Sequence, residues 1–105
     1  MENFYPPEEF FKPVLFNCYW YLPGEFERKL ERNTLKSIID TVNNYYGNAF
    51  SLDIGFAYHT IFQEILKNAR VHGGNLEGKP TYCGIFLNKE NFCFGCNDGG
   101  VILKI

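Results

Sequence analysis

An acidic residue, an amide and a glycine-rich turn are the parts of this sequence that could do chemistry. Glu64 and Asn68 are four residues apart, so they lie on one face of a helix. At 30 positions after Asn68, Asp98 is followed by Gly99 and Gly100, which have no Cβ to obstruct a ligand. These groups could together hold a metal-bound nucleotide, so the sequence predicts a nucleotide site.

Each of these residues also has a purely structural explanation. At about 100° per residue, Asn68 falls near the apolar face of its helix, where it could simply bond a loop carbonyl or neighbouring backbone. Glu64 could be a solvated acid at the border of that face. Asp98 continues the apolar side of the strand over 91–97, which predicts a buried carboxylate in need of a donor. An Asp before Gly, however, often bonds its own backbone.

The elements that must position these residues can be predicted from periodicity. Apolar residues at three- and four-residue spacing predict helices over 25–46 and 53–72. Runs of β-branched and aromatic residues predict strands over 14–22, 81–88 and 91–97, the last two forming an antiparallel hairpin. The expected fold class is an α/β (α+β) two-layer sandwich with two long helices on one face of a mixed, mostly antiparallel sheet.

The two ends of the chain differ in composition from this central part. Residues 1–13 carry three of the five prolines among aromatic residues, which predicts an extended arm whose rings dock on something. Residues 101–105 are interpreted as a short apolar tail. With 105 residues and 46% hydrophobic content, we expect a single domain.

Charge and hydropathy exclude several functional classes. The net charge of -2 comes from 10 basic and 12 acidic residues that are scattered along the sequence. The basic residues therefore form no cluster of the kind that binds nucleic acid. No apolar run approaches the roughly 20 residues that span a bilayer. The first residues of the sequence are acidic, whereas a signal peptide begins with basic residues. The sequence therefore predicts a cytoplasmic protein without a nucleic-acid or membrane partner.

The four cysteines, Cys18, Cys83, Cys93 and Cys96, are expected to be reduced and partly buried, because a domain with this many apolar residues does not need disulfides. Cys93 and Cys96 have the spacing of a zinc or redox pair. On an extended strand, however, their thiols point to opposite faces, so we expect neither a zinc site nor a structural disulfide.

The run Glu64-x-x-x-Asn68-Ala69-x-x-His72-Gly73 resembles the N-box of the GHKL superfamily, the ATP-binding domains of DNA gyrase, heat-shock chaperones, histidine kinases and mismatch-repair ATPases. It is most similar to the version in bacterial anti-sigma-factor serine kinases. The order of strand, long helix and N-box helix matches that subgroup. The resemblance extends over most of the chain and implies a partial Bergerat-type fold.

The resemblance also implies roles for individual residues. In the family, the N-box Asn coordinates magnesium, the Glu orients or deprotonates the attacking group, and the G1-box Asp accepts a hydrogen bond from the adenine amino group. These roles fall to Asn68, Glu64 and Asp98, and Gly100 matches a second G1-box position. Ile102 stands where the family has its last G1-box Gly. The implied cofactors are ATP and Mg²⁺, and the implied reaction is phosphoryl transfer or ATP hydrolysis in a complete domain.

The family's ATP lid and G2 box would follow the last residue of this sequence, so we expect weak, millimolar nucleotide binding and little turnover. The alternative is a non-catalytic module that keeps the scaffold and binds protein through its aromatic arm and sheet edge. Because unpaired strand edges pair with other chains, both interpretations predict a homo-oligomer. A protein partner or phosphoryl acceptor is also expected.

Overall fold

Two helices and four strands follow one another in the order β1-α1-α2-β2-β3-β4 in the computed structural model. It describes residues 12–47, 52–97 and 99–104, and side chains only within 12–47 and 58–97. The bounds are β1 Leu15–Tyr21, α1 Arg28–Tyr46, α2 Leu52–His72, β2 Thr81–Leu87, β3 Asn91–Cys96 and β4 Gly99–Lys104. A short 3-10 helix, Asn75–Glu77, lies between α2 and β2. Most of the predicted aromatic arm lies outside the described residues.

The four strands form one sheet in their sequence order, β1-β2-β3-β4. The three pairings are all antiparallel, so the described sheet is antiparallel rather than mixed. The connections between the strands explain this antiparallel arrangement. Short turns join β2 to β3 and β3 to β4, and two consecutive helices of opposite direction, α1 and α2, join β1 to β2. Each connection therefore reverses the strand direction. The predicted two-layer sandwich is confirmed.

The fourth strand differs from the sequence-based expectation of a short apolar tail over 101–105. Gly99–Lys104 pairs with the whole length of β3, from Cys96 opposite Gly99 to Asn91 opposite Lys104. Without β4, the backbone groups on that side of β3 would lack partners, and an apolar β-branched segment beside them supplies those partners. The tail is therefore a strand over its described residues.

The two helices lie side by side over different strands. α1 lies over β1, where the Tyr19 hydroxyl and Ser37 Oγ are 2.6 Å apart. α2 lies over β3, and the Phe62 ring centroid is 5.5 Å from that of Phe92 and 5.4 Å from that of Phe94. In the described part of the chain, no helix combines the length and the apolar character that crossing a membrane requires.

The core lies between this helix layer and one face of the sheet. Its buried members are Phe26, Ile38, Val42, Phe62, Leu66, Ala69, Cys83, Ile85, Leu87, Phe92, Phe94 and Cys96. Each fully buried Phe, Leu, Ile or Val contributes about 1.5–3 kcal/mol of transfer free energy. Cys93 belongs to a separate cluster with Phe86 on the opposite face. The prediction that Cys93 and Cys96 point to opposite faces is therefore confirmed.

Candidate functional site

The C-terminal end of α2 lies against the turn that follows β3. Gly73 donates its N–H to the carbonyl oxygen of Ala69, at 3.0 Å. A Cβ at position 73 would collide with that same oxygen and would lie 3.4 Å from Nδ2 of Asn97. Only glycine fits this close approach without a shift of the backbone. Gly73, the last residue of the run that resembles the N-box, therefore lies close to the residue that precedes Asp98.

Asn97 redirects the chain at this point. Its φ is 54°, a left-handed conformation that Asn tolerates better than most residues. Its N–H donates to the Tyr82 carbonyl at 2.6 Å, and its Oδ1 accepts from the Tyr82 N–H at 3.1 Å. The Asn97 side chain thus supplies the last hydrogen bond between β2 and β3, at the point where the backbone leaves the strand direction. Sequence reasoning gave Asn97 no role, although an Asn before Asp-Gly is a turn signal.

Asn68 is exposed on α2. The prediction that its amide needs a partner is therefore wrong, because water can satisfy an exposed amide. At about 100° per residue, Asn68 lies on the flank of α2 opposite Arg70, beside the half-buried Ile65. Arg70 contacts Glu31 of α1, so the Asn68 flank faces away from α1. With α1 over β1 and α2 over β3, that flank is on the β4 side of the sheet.

Glu64 is exposed at a different surface, a polar groove of about 400 Å³ between α1 and α2. The residues that line the groove with it are Arg28, Glu31, Arg32, Gln63, Lys67 and Arg70. Asn68 does not line this groove. The structure therefore places Glu64 and Asn68 one helical turn apart on the outer surface of α2 without enclosing them in a common cavity. The surroundings of Glu64 are mainly basic.

Helical projection predicts that Lys67 and Arg70 belong to a solvated face of α2, but Arg70 does not. Its Nε lies 3.1 Å from Oε2 and 3.3 Å from Oε1 of Glu31, and the two side chains are only 17% and 14% exposed. Because α1 packs on this flank of α2, the two charges are partly removed from water and compensate each other. Lys67, on the outer surface, is exposed as expected.

The strand that leads to the predicted adenine-binding residue behaves as the alternation predicts. Phe92, Phe94 and Cys96 all point into the core beneath the helices. Asp98 itself lies outside the described residues. Gly100 is the second residue of β4 and pairs with Gly95 of β3.

No group of three or more His, Cys, Asp or Glu side chains that could hold a metal ion occurs in the described part of the chain. Asn68 alone is a weak magnesium ligand, because a single neutral oxygen does not replace the hydration of the ion. A metal ion at Asn68 would need a ligand that brings oxygen atoms of its own, as nucleotide phosphates do.

Comparisons of the chain with protein-family models, with curated proteins and with solved structures found no match.

Proposed function

We propose that this chain binds an adenine nucleotide with Mg²⁺ on the flank of α2 that carries Asn68, beside the turn that begins at Asn97. This is the arrangement of the GHKL ATP-binding domains that the N-box motif resembles. The proximity of Gly73 to Asn97 carries the proposal, because a Cβ added at Gly73 would lie 3.4 Å from Nδ2 of Asn97. The N-box and the segment with Asp98 are far apart in sequence, yet the end of one lies against the start of the other.

The proposal gives Asn68 and Asp98 complementary tasks. The amide oxygen of Asn68 would share a magnesium ion with the phosphates, so metal and nucleotide would bind together. An ionised Asp98 only accepts hydrogen bonds, which suits the amino group of adenine and opposes the O6 acceptor of guanine. Gly100 would let the ligand approach the backbone closely. Because Asn68 is exposed, the phosphates stay largely solvated, and we expect millimolar affinity.

Phosphoryl transfer to a protein hydroxyl or to water is the reaction that fits these ligands. Such catalysis depends mainly on positioning and on electrostatic stabilisation by the metal. The proposal assigns Glu64 the task of orienting or deprotonating the attacking group. Glu64 is exposed one helical turn before Asn68, and its side chain lines the groove toward α1. The proposed compartment is the cytoplasm, where ATP is abundant.

Nuclear magnetic resonance titration tests this proposal, because shift changes report millimolar binding. We expect Mg-ATP to move the backbone signals of Ile65 and Asn97, and ATP without magnesium to bind more weakly. The Asn68→Ala variant should lose the magnesium dependence. The matched control is Asn43→Ala, which removes an exposed Asn from α1 and should bind like the wild type. Equal binding of ATP and GTP, or binding unaffected by Asp98→Ala, would contradict the proposal.

A second candidate function, protein interaction through the sheet edge, is favoured by the surface of β1. Among the described strands, β1 forms one edge of the sheet. Large apolar side chains on and beside it are exposed, including Phe16 at 59% and Trp20 at 53%. An apolar edge strand is a template for pairing with another chain. We infer that a second copy of the chain pairs here.

Light scattering at micromolar concentration tests this second candidate. We expect the wild type to exceed the monomer mass of 12.2 kDa and Trp20→Lys to shift the population toward monomer. Val71→Lys, which places the same charge at an exposed apolar position on α2, is the control and should leave the assembly intact. A wild type that remains monomeric would refute edge pairing.

A further inference from the structure

Two thiols face each other across β2 and β3. Cys83 and Cys96 are directly paired in the antiparallel register, and their Sγ atoms lie 2.6 Å apart. Both are core residues, with exposed fractions of 2% and 7%. The sequence spacing draws attention to Cys93 and Cys96, but those two lie on opposite faces of the sheet. The strand register instead makes Cys83 the neighbour of Cys96.

The register also fixes the type of pairing. The Asn97 N–H donates to the Tyr82 carbonyl, so Tyr82 and Asn97 occupy a hydrogen-bonded position of the ladder. Bonded and non-bonded positions alternate in an antiparallel pair, so the adjacent Cys83–Cys96 pair is non-bonded. Non-bonded partners have Cα atoms about 4.5 Å apart and the closer side chains. That separation lies within the range of about 4.4–6.8 Å that a disulfide spans.

We propose that Cys83 and Cys96 are an oxidative modification site that closes to an intrachain disulfide with hydrogen peroxide as the oxidant. The thiolate of Cys96, the more exposed of the two, attacks one peroxide oxygen. The O–O bond breaks to leave a sulfenic acid on Cys96 and a hydroxide, which takes up a proton to become water. Cys83 then loses its proton and attacks the Cys96 sulfur, and the S–O bond breaks as the S–S bond forms. The departing hydroxide takes the second proton. Two thiols and one peroxide thus give one disulfide and two waters, and the sulfurs lose the two electrons that the peroxide gains.

The local environment controls the rate of this modification. The hydrogen-bonding contact with Cys83 and burial in the core both raise the pKa of Cys96 well above its usual value of 9.0. The reactive thiolate is therefore scarce at neutral pH. We expect the disulfide to form slowly at neutral pH and faster at alkaline pH. The proposal is independent of nucleotide binding, although Cys96 directly precedes Asn97 at the proposed site.

The test uses the full chain with Cys18→Ser, because Cys18 is exposed and could form disulfides between chains. This variant has three thiols, which can be counted in denaturant before and after peroxide treatment at neutral and alkaline pH. We expect two thiols to disappear and one, Cys93, to remain. Peptide mapping should find Cys83 linked to Cys96. The melting temperature should rise by several degrees and fall back on addition of reductant, since a cross-link constrains the unfolded chain.

Two further variants serve as controls. Cys18→Ser with Cys93→Ala should still lose both remaining thiols, whereas Cys18→Ser with Cys83→Ser should form no intrachain disulfide. Peptide mapping of the Cys18→Ser protein needs no substitution in the core, so it decides the matter even if a control fails to fold. Oxidation of Cys96 to sulfinic acid without a cross-link, a linkage that includes Cys93, or three unchanged thiols at alkaline pH would each overturn the proposal.

Discussion

Asn75 connects the segment after α2 with the loop that joins β1 to α1, and its removal should strongly destabilise the domain. It is fully buried in the short 3-10 helix. Its Oδ1 accepts from the Phe26 N–H at 2.8 Å, and its Nδ2 donates to the Leu22 carbonyl at 3.1 Å. We expect Asn75→Ala to lower the free energy of unfolding by about 1.5–4.5 kcal/mol, because both side-chain hydrogen bonds are lost.

The magnitude follows from what each partner loses. Phe26 is buried, so its N–H would be left without a partner at a cost of about 1–3 kcal/mol. Leu22 is exposed, so water can replace the lost donor, and that bond contributes about 0.5–1.5 kcal/mol. The bond from the Gly24 N–H to the Asn75 backbone oxygen does not involve the side chain and remains. At about 4–8 °C per kcal/mol, the melting temperature should fall by about 6–36 °C.

Thermal and urea denaturation followed by circular dichroism measure this loss. The matched control is Asn43→Ala on the exposed surface of α1, which should change the free energy of unfolding by about 0.5 kcal/mol or less. If Asn75→Ala unfolded at the same temperature as this control, the two side-chain hydrogen bonds would contribute nothing to stability, which would refute the prediction.

Three further outcomes are expected. The fully buried Thr81 hydroxyl has no hydrogen-bond partner in the described structure, so Thr81→Val should raise the free energy of unfolding by about 1 kcal/mol, and a lower urea midpoint would contradict this. In Gly73→Ala, the new Cβ would collide with the Ala69 carbonyl, so stability should fall by about 1–3 kcal/mol and the Asn97 amide signal should move; an unmoved signal would argue against the contact. Burial raises the pKa of the Cys93 thiol from 9.0 to about 11. As the pH rises, the thiol therefore loses its proton in the unfolded chain before it does so in the folded chain. The free energy of unfolding should consequently fall between pH 9 and pH 11. Cys93→Ala should flatten that slope, and an unchanged slope would exclude Cys93 as its source.

The start of α1 illustrates how far periodicity alone predicts this fold. The sequence predicts a helix over 25–46, and its C-terminal end at Tyr46 is confirmed, because Gly47 adopts a left-handed φ of 57° there. The helix begins only at Arg28. Phe26 fits the apolar spacing, but its N–H bonds Asn75, 49 residues away. A tertiary hydrogen bond of this kind leaves no local signal, so the first helical residue could not be predicted.

The candidate site was only partly predictable for a similar reason. Spacing correctly places Glu64 and Asn68 on one helix, and alternation correctly predicts the buried side of β3. Helix packing determines which flank of α2 contacts α1. The Glu31–Arg70 pair that identifies this flank joins residues 39 positions apart, so local periodicity does not reveal it. Periodicity also does not predict the structural role of Asn97, because that role depends on two hydrogen bonds with the backbone of Tyr82.

The two sides of α2 therefore offer a nucleotide two different environments, and this difference can be measured. The groove toward α1 carries positive charge from Arg32 and Lys67, which would attract phosphates without regard to the base or to magnesium. The flank with Asn68 would bind through a shared metal ion and, through Asp98, distinguish adenine from guanine. If the proposed site is correct, Lys67→Ala should weaken Mg-ATP binding less than Asn68→Ala does, and it should leave the preference for ATP over GTP intact. If Lys67→Ala instead abolished binding while Asn68→Ala had no effect, the phosphates would lie in the groove, and the N-box assignment would fail.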